Sequence, residues 1–257
     1  MLVIIKKMNN LKMIKTISSI GDLIDVLKTD FNAFNEDIWF RGQSNFDWKL
    51  SPGLMRLTDA PSEGALLTRF KQSAGMLINA RPKDDFDWLF LMQHYGVPTR
   101  LLDWTESPLT ALYFSVIEEE GDNNDAALWS LKPTELNKIA NISTNEKNFI
   151  PSFDDDELKM YSVEKLSSNP RNRLAPIATI ATRNSPRIQA QLGVFTIHHL
   201  DNRSIEEFCT KQEVCKYKIL ATAKREIRKE LDLLRINKFT LFPELASIGE
   251  TLKKGLR

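Results

Sequence analysis

Gln93-His94-Tyr95-Gly96-Val97-Pro98-Thr99-Arg100-Leu101-Leu102-Asp103-Trp104-Thr105 is the stretch from which the rest of this 257-residue chain is read. It sets a histidine, hydroxyls, an arginine, an aspartate and a tryptophan beside two turn-formers, Gly96 and Pro98. The pattern predicts a loop, a short apolar strand over 100–103, a polar corner over 104–107, and a helix over 107–120. Ser107 is a good N-cap and Pro108 suits the first helical position. Leu109, Leu112, Tyr113, Val116 and Ile117 recur at helical spacing, and Gly121 stands where a C-terminal cap belongs. Such strand-to-helix corners often hold ligands, because the helix N-terminus offers free N–H groups and positive potential.

Upstream, Ile38-Trp39-Phe40 reads as a buried strand that delivers Arg41 at its carboxyl end. Gly42 permits a bend or a close backbone approach. A Ser19-capped helix uses Ile20, Leu23, Ile24 and Leu27. A longer helix over 63–79 places Leu66, Leu67, Phe70, Ala74 and Leu77 on one face, and another carries Trp88, Leu89, Leu91 and Met92. Downstream, strands are expected at 126–131, 175–182, 194–199 and 215–220, with a turn or helix start at Ser185-Pro186. Thr222 should cap a helix buried through Ile227, Leu231 and Leu234, and a last helix over 243–254 uses Leu245, Ile248 and Leu252. The polar segment 134–173 reads as an insertion with a little helix, its acidic run 154–157 a solvated loop. Strands on both sides of the helical block favour a single α+β domain over 1–257, with its core at about 18–131 and 174–221 and C-terminal helices over 222–257. Its sheet is expected to be mixed, mainly antiparallel and flanked by helices.

Hydrophobic residues at 42% and aromatics at 9% suffice for a sizeable core. A net charge of +1 gives no global argument for nucleic acid. Cys209 and Cys215 lack nearby metal-type partners and read as reduced cytosolic thiols. His198 and His199, adjacent in a strand, should point to opposite faces, so no metal site is expected. The apolar start at 1–7 is too short for a signal-peptide core and no run approaches a membrane span of about 20 residues, so a cytoplasmic protein is expected. P-loop, dinucleotide-binding, zinc and nucleophile-elbow motifs are absent, which removes most familiar enzyme classes.

Several residues suit a site. Arg41 presents a planar fork for phosphate or carboxylate, against the alternative of an ion pair with Asp103 or Asp47. His94 and Tyr95, beside Gly96, are free to face a pocket, or else close the loop by a hydrogen bond. Arg100 and Asp103 flank Leu101-Leu102 and should face opposite ways, each needing another partner. Asp103 suits a general base, a helix capper or an orienter of Arg41; Trp104 suits stacking on a planar ligand or packing. Gln189 and Gln191 precede a late strand and can reach a ribose or base. Lys216, Lys218, Lys224, Arg225, Arg228, Lys229 and Arg235 form a local basic segment that suits a binding module for nucleic acid or a protein partner.

Trp39-Phe40-Arg41-Gly42-Gln43-Ser44, then Leu50-Ser51-Pro52 and Arg56, resembles the opening motif of the FRG-domain family of bacteria and phages, named for Phe-Arg-Gly. The stretch from Gln93 to Thr105, followed by Ser107-Pro108 and Ala111-Leu112-Tyr113-Phe114, is similar to its central signature. Arg187, Gln191, Gly193, Phe195 and Phe242-Pro243 extend the likeness over nearly the whole chain. The order of elements also resembles, less closely, the ADP-ribosyltransferase layout. That resemblance implies Arg41 at an NAD ribose or phosphate, Thr105 framing the nicotinamide and Gln191 at the ribose. A glutamine there lacks the charge with which a glutamate stabilises an oxocarbenium ion. The resulting expectation is a pocket that binds an NAD-like or other phosphate-bearing nucleotide through Arg41, Gln43, Tyr95, Arg100, Trp104 and Thr105. Gln191, Asp103 and His94 act chemically if the N-glycosidic bond is cleaved or ADP-ribose is transferred.

Overall fold

Seven strands pair into one sheet: β1 (Thr16–Ile17), β2 (Trp39–Gln43), β3 (Leu101–Thr105), β4 (Ala126–Leu131), β5 (Ile177–Thr179), β6 (Gly193–Ile197) and β7 (Val214–Ile219). Their order is β1-β7-β4-β2-β3-β6-β5, antiparallel throughout except for β1 beside β7. This is the mixed, mainly antiparallel α+β architecture read from the sequence. The computed structural model describes residues 14–31, 37–78, 81–118, 122–142, 149–181, 185–210, 213–244, 247, 249 and 253. Among them no helix is long and apolar enough to cross a membrane.

One junction in the sheet differs from its neighbours. β2 pairs with β4 from Trp39 to Gln43, and β3 pairs with β6 from Leu101 to Thr105. Between β2 and β3 only Phe40 opposite Thr105 is paired. Beyond that pair the strands part, leaving backbone groups that a full ladder would satisfy. Arg41 occupies part of the gap, its Nη1 donating to the Asp103 carbonyl at 2.6 Å.

The hydrophobic core divides at this seam. On the helical face, Phe40, Leu128, Tyr217 and Ile219 pack with Leu112 and Val116 of the Pro108–Val116 helix and Ile227 and Leu231 of the Lys224–Leu233 helix. Across the seam, Leu101, Ile177, Phe195 and Ile197 pack with the Glu63–Ala74 and Asp85–His94 helices. On the opposite face a single cluster runs beneath both halves, from Trp39, Trp129 and Leu131 to Leu102, Trp104 and Val194. Side chains alternate faces along a strand, so the apolar residues of β2 and β3 supply both layers.

Gly42 explains how the first half closes. A Cβ on it would lie 1.9 Å from the Ala111 carbonyl oxygen, so β2 and the Pro108–Val116 helix meet backbone to backbone. Ser107 caps that helix by accepting from Thr110 N at 3.2 Å, as its position before Pro108 suggests. Ser115 Oγ, within hydrogen-bonding reach of the Ala111 and Ala127 carbonyls at 3.0 and 3.1 Å, ties the helix to β4.

The structure corrects several boundaries. β3 runs to Thr105 because Trp104 and Thr105 pair with Val194 and Gly193, so the first half of the expected polar corner lies inside a strand. β2 likewise continues past Arg41, held by β4. The helix after Ser107 ends at Val116, and Gly121 lies outside the described residues. The 63–79 helix stops at Ala74, leaving Leu77 83% exposed. The Lys224–Leu233 helix starts after Ala223 rather than at a Thr222 cap, and Leu234 sits beyond it, half exposed. Part of the 134–173 segment is core: Phe153, Leu158 and Tyr161 belong to the second cluster. The residues at 1–13 and most of the expected 243–254 helix, including Leu245, Ile248 and Leu252, lie outside the described residues.

Candidate functional site

A cavity of about 330 Å³ opens at the seam, lined from both halves of the sheet. Its size falls at the small end of ligand sites. Phe40 and Phe114 form one apolar wall, Phe90 and Phe195 another, with Gly193 and Ala111 adding no bulk. Phe90 packs on Phe195 with centroids 4.8 Å apart, so this wall is fixed by the second core cluster.

Three arginines line the cavity. Arg41 is partly buried, and desolvation lowers its basicity while Asp103 counters this. Its Nε is shielded and has no hydrogen-bond partner, although Nη1 holds the Asp103 carbonyl. Buried guanidinium donors are normally satisfied, so this side chain is short of an acceptor. Arg56 follows from the Leu54–Arg56 turn and has no hydrogen-bond or ion-pair partner among the described residues. Arg187, in the Pro186–Ala190 helix, stands over the Phe242 ring at 4.7 Å and near the His94 carbonyl.

Asp103 and Glu118 bring carboxylates to the same space. Asp103 Oδ2 accepts from Gln93 Nε2 at 2.8 Å, and Glu118 Oε2 accepts from Ser44 Oγ at 2.5 Å. His94, the last residue of its helix, lies 3.8 Å from Glu244 through Nε2. Partial burial and then Arg187 lower its pKa, so it is neutral at pH 7.

The candidates therefore separate into groups. Arg41, Asp103, His94, Thr105, Gln43, Trp104 and Gln191 line the cavity; Arg100 and Tyr95 do not. Arg100 is a core ion pair, 4% exposed, with Nε donating to Glu63 Oε2 at 2.7 Å and Nη2 to the Tyr161 carbonyl at 2.7 Å. Tyr95 is 68% exposed and packs edge-on against His94. Asp103 meets Arg41 through its main-chain carbonyl, where a carboxylate contact was expected. Several liners are structurally committed. Gln43 bridges the Lys49 carbonyl and Trp129 Nε1, and Trp104 Nε1 donates to Thr196. Thr105 Oγ1 donates to the Gln191 carbonyl at 2.6 Å and accepts from Ser107 N. The Gln191 amide donates to the Leu241 carbonyl at 2.9 Å, so its nitrogen is not free for a ribose.

Arg56 and Arg187 were visible in the sequence only as motif companions; nothing local marked them as cavity cations. The basic segment is largely engaged elsewhere. Lys216 lies over Phe46 and Trp129, Lys218 pairs with Asp125, Lys224 donates to the Ser44 carbonyl, Arg228 pairs with Asp122 and Lys229 with Glu226. Among the described residues no cluster of His, Cys, Asp or Glu could hold a metal; Cys209 and Cys215 are not joined in a disulfide, and burial pushes the Cys209 thiol up to about 12.

His198, just past β6, is fully buried, and burial followed by the nearby Arg100 charge pushes its pKa down to about 4. An unfolded histidine titrates near 6.5, so the unfolded chain binds the extra proton. This contribution to stability is complete above about pH 6.5 and is lost as pH falls toward 4, to a total of about 3 kcal/mol. Urea midpoints measured across that range should fall, and His198→Gln should flatten the slope.

A family model of the FRG domain matches residues 36–125. The match spans Arg41 through β3 and the helix after it, and stops before β6, the strand that carries Gly193 and Phe195. No curated protein and no solved structure matches the chain.

Proposed function

Starting from a chain that carries an FRG domain over residues 36–125, we propose that the seam cavity binds a phosphate-bearing, NAD-like nucleotide and cleaves its N-glycosidic bond. The observation that supports this most is the meeting of Arg41 and Arg56, both short of acceptors, with aromatic walls and the Asp103 carboxylate in one cavity. Guanidinium forks suit phosphate oxygens, and phenylalanine faces suit a planar ring. Gln191 is uncharged and tied to Leu241, and Glu118 is engaged by the buried Ser44, so we assign to Asp103 the opposing of positive charge that develops on the ribose. In this reading the bond between the ribose carbon and the ring nitrogen breaks, and nicotinamide leaves with the electron pair. Water adds to the ribose carbon and releases one proton.

Purified protein incubated with NAD should release nicotinamide. Asp103→Asn should lower kcat by about 10²–10³-fold, as losing one transition-state stabilising group does elsewhere. Arg41→Ala should weaken binding about tenfold or more, the worth of a charged hydrogen bond. The absence of both nicotinamide release and calorimetric binding would sink the proposal.

A further inference from the structure

The signature stretch contains a short hydrogen-bond relay that ends in the cavity. Thr99 is fully buried, and its hydroxyl accepts from Leu101 N at 3.1 Å. The same hydroxyl donates its proton to Gln93 Oε1, 2.8 Å away, and the Asp103 carboxylate on the other side of the amide can only accept. This settles which way the Gln93 amide faces: the oxygen meets Thr99, so the nitrogen must donate to Asp103 Oδ2 at 2.8 Å. Thr99 is anchored in turn by its carbonyl, which accepts from Leu54 N. The other Asp103 oxygen has no partner among the described residues, and the side chain is exposed at the cavity. Without the Gln93 donor the carboxylate could turn onto the Arg41 guanidinium, which already holds the carbonyl of the same residue.

We propose that Gln93, oriented by Thr99, is a positioning residue that keeps the Asp103 carboxylate off Arg41 and facing the cationic ring of an oxidised pyridinium nucleotide; this rests on the nucleotide reading above. Arginines at one group of the ligand and a carboxylate at another stay effective only if they do not neutralise each other. A carboxylate held this way favours a positively charged ring and gains nothing from its neutral, reduced form.

The test is calorimetry of the full chain with NAD as its carbocyclic analogue, which keeps the cationic ring but resists cleavage, NADH and AMP at fixed ionic strength, on wild type, Gln93→Met, Thr99→Val and Thr99→Ser. Wild type and Thr99→Ser should bind NAD about tenfold more tightly than NADH. Gln93→Met and Thr99→Val should bring that ratio to about two or less; AMP binding should weaken by a few fold at most, through Asp103 turning onto the phosphate-binding Arg41, so the NAD-to-NADH ratio is the readout that a general loss of affinity would not move. If one of these two fails to fold, the other carries the comparison. A wild type that binds nucleotides without preferring NAD, or a Gln93→Met protein that keeps the preference, overturns the positioning role alone. No binding of any of the three nucleotides overturns it together with the nucleotide reading.

Discussion

Gly42→Ala is expected to cost about 4 kcal/mol or more, enough to leave little folded protein in a domain of ordinary stability. The added methyl would lie 1.9 Å from the Ala111 carbonyl oxygen, 2.6 Å from Ser115 Oγ and 2.7 Å from Ser115 N. Two of those atoms are backbone and cannot rotate aside, so the helix must move away from β2. That movement would break the Ser115 bridge to the Ala127 carbonyl and displace Ala111 and Phe114 from the cavity wall. Overpacking that flexible side chains can absorb costs about 1–3 kcal/mol; here the clash is with main chain and exceeds it. Gly53→Ala provides the contrast. Its φ is −54° and its Cβ would meet Pro98 at an ordinary 3.5 Å, so the change should stay within about 1 kcal/mol. Urea denaturation of both variants checks the pair, and a Gly42→Ala midpoint close to wild type would refute the close-approach account.

Arg100→Met should destabilise the chain by about 3–5 kcal/mol, because Glu63 would be left buried and uncompensated. Both side chains are nearly sealed, at 4% and 6% exposed. The guanidinium also reaches the carbonyls of His198 and Tyr161, and Glu63 accepts from the Arg100 backbone N–H at 2.9 Å. One residue thus fastens the Glu63–Ala74 helix, the 149–161 segment and the end of β6. Replacing both partners, with Glu63→Leu in the same chain, should recover part of the loss, since an apolar pair leaves no orphaned charge. Nucleotide affinity per folded molecule should be unchanged in either variant. Arg41→Ala should do the reverse. Denaturation and calorimetry on the same samples separate the two arginines.

That division could not have been read from the chain alone. Arg41 and Arg100 each adjoin a short apolar run, so local sequence presents them alike. What separates them is Glu63, 37 residues before Arg100 and on another element. Gly42 was more legible, because a glycine after a bulky run has few other uses. The Ser107 cap and β4 were legible too, each being marked by neighbours in sequence. Leu77 and Leu234 continue the hydrophobic spacing past the points where their helices stop, so spacing alone overextends both stripes. The strand order, and with it the cavity, depends on pairing partners far apart in the chain. The Thr105–Gln191 contact runs through a main-chain carbonyl, which no residue identity announces.

The gap between β2 and β3 has a mechanical meaning. It divides the seven strands into leaves of four and three, each with its own packed core on the helical side. Both leaves share one continuous apolar layer on the reverse, which acts as a spine. The cavity is the angle between the open leaves, so a molecule seated there is a wedge, and its grip depends on the stiffness of the binding behind it. Trp39 and Leu131 line no part of the cavity, yet they belong to that spine and help set the resistance against which any occupant is held.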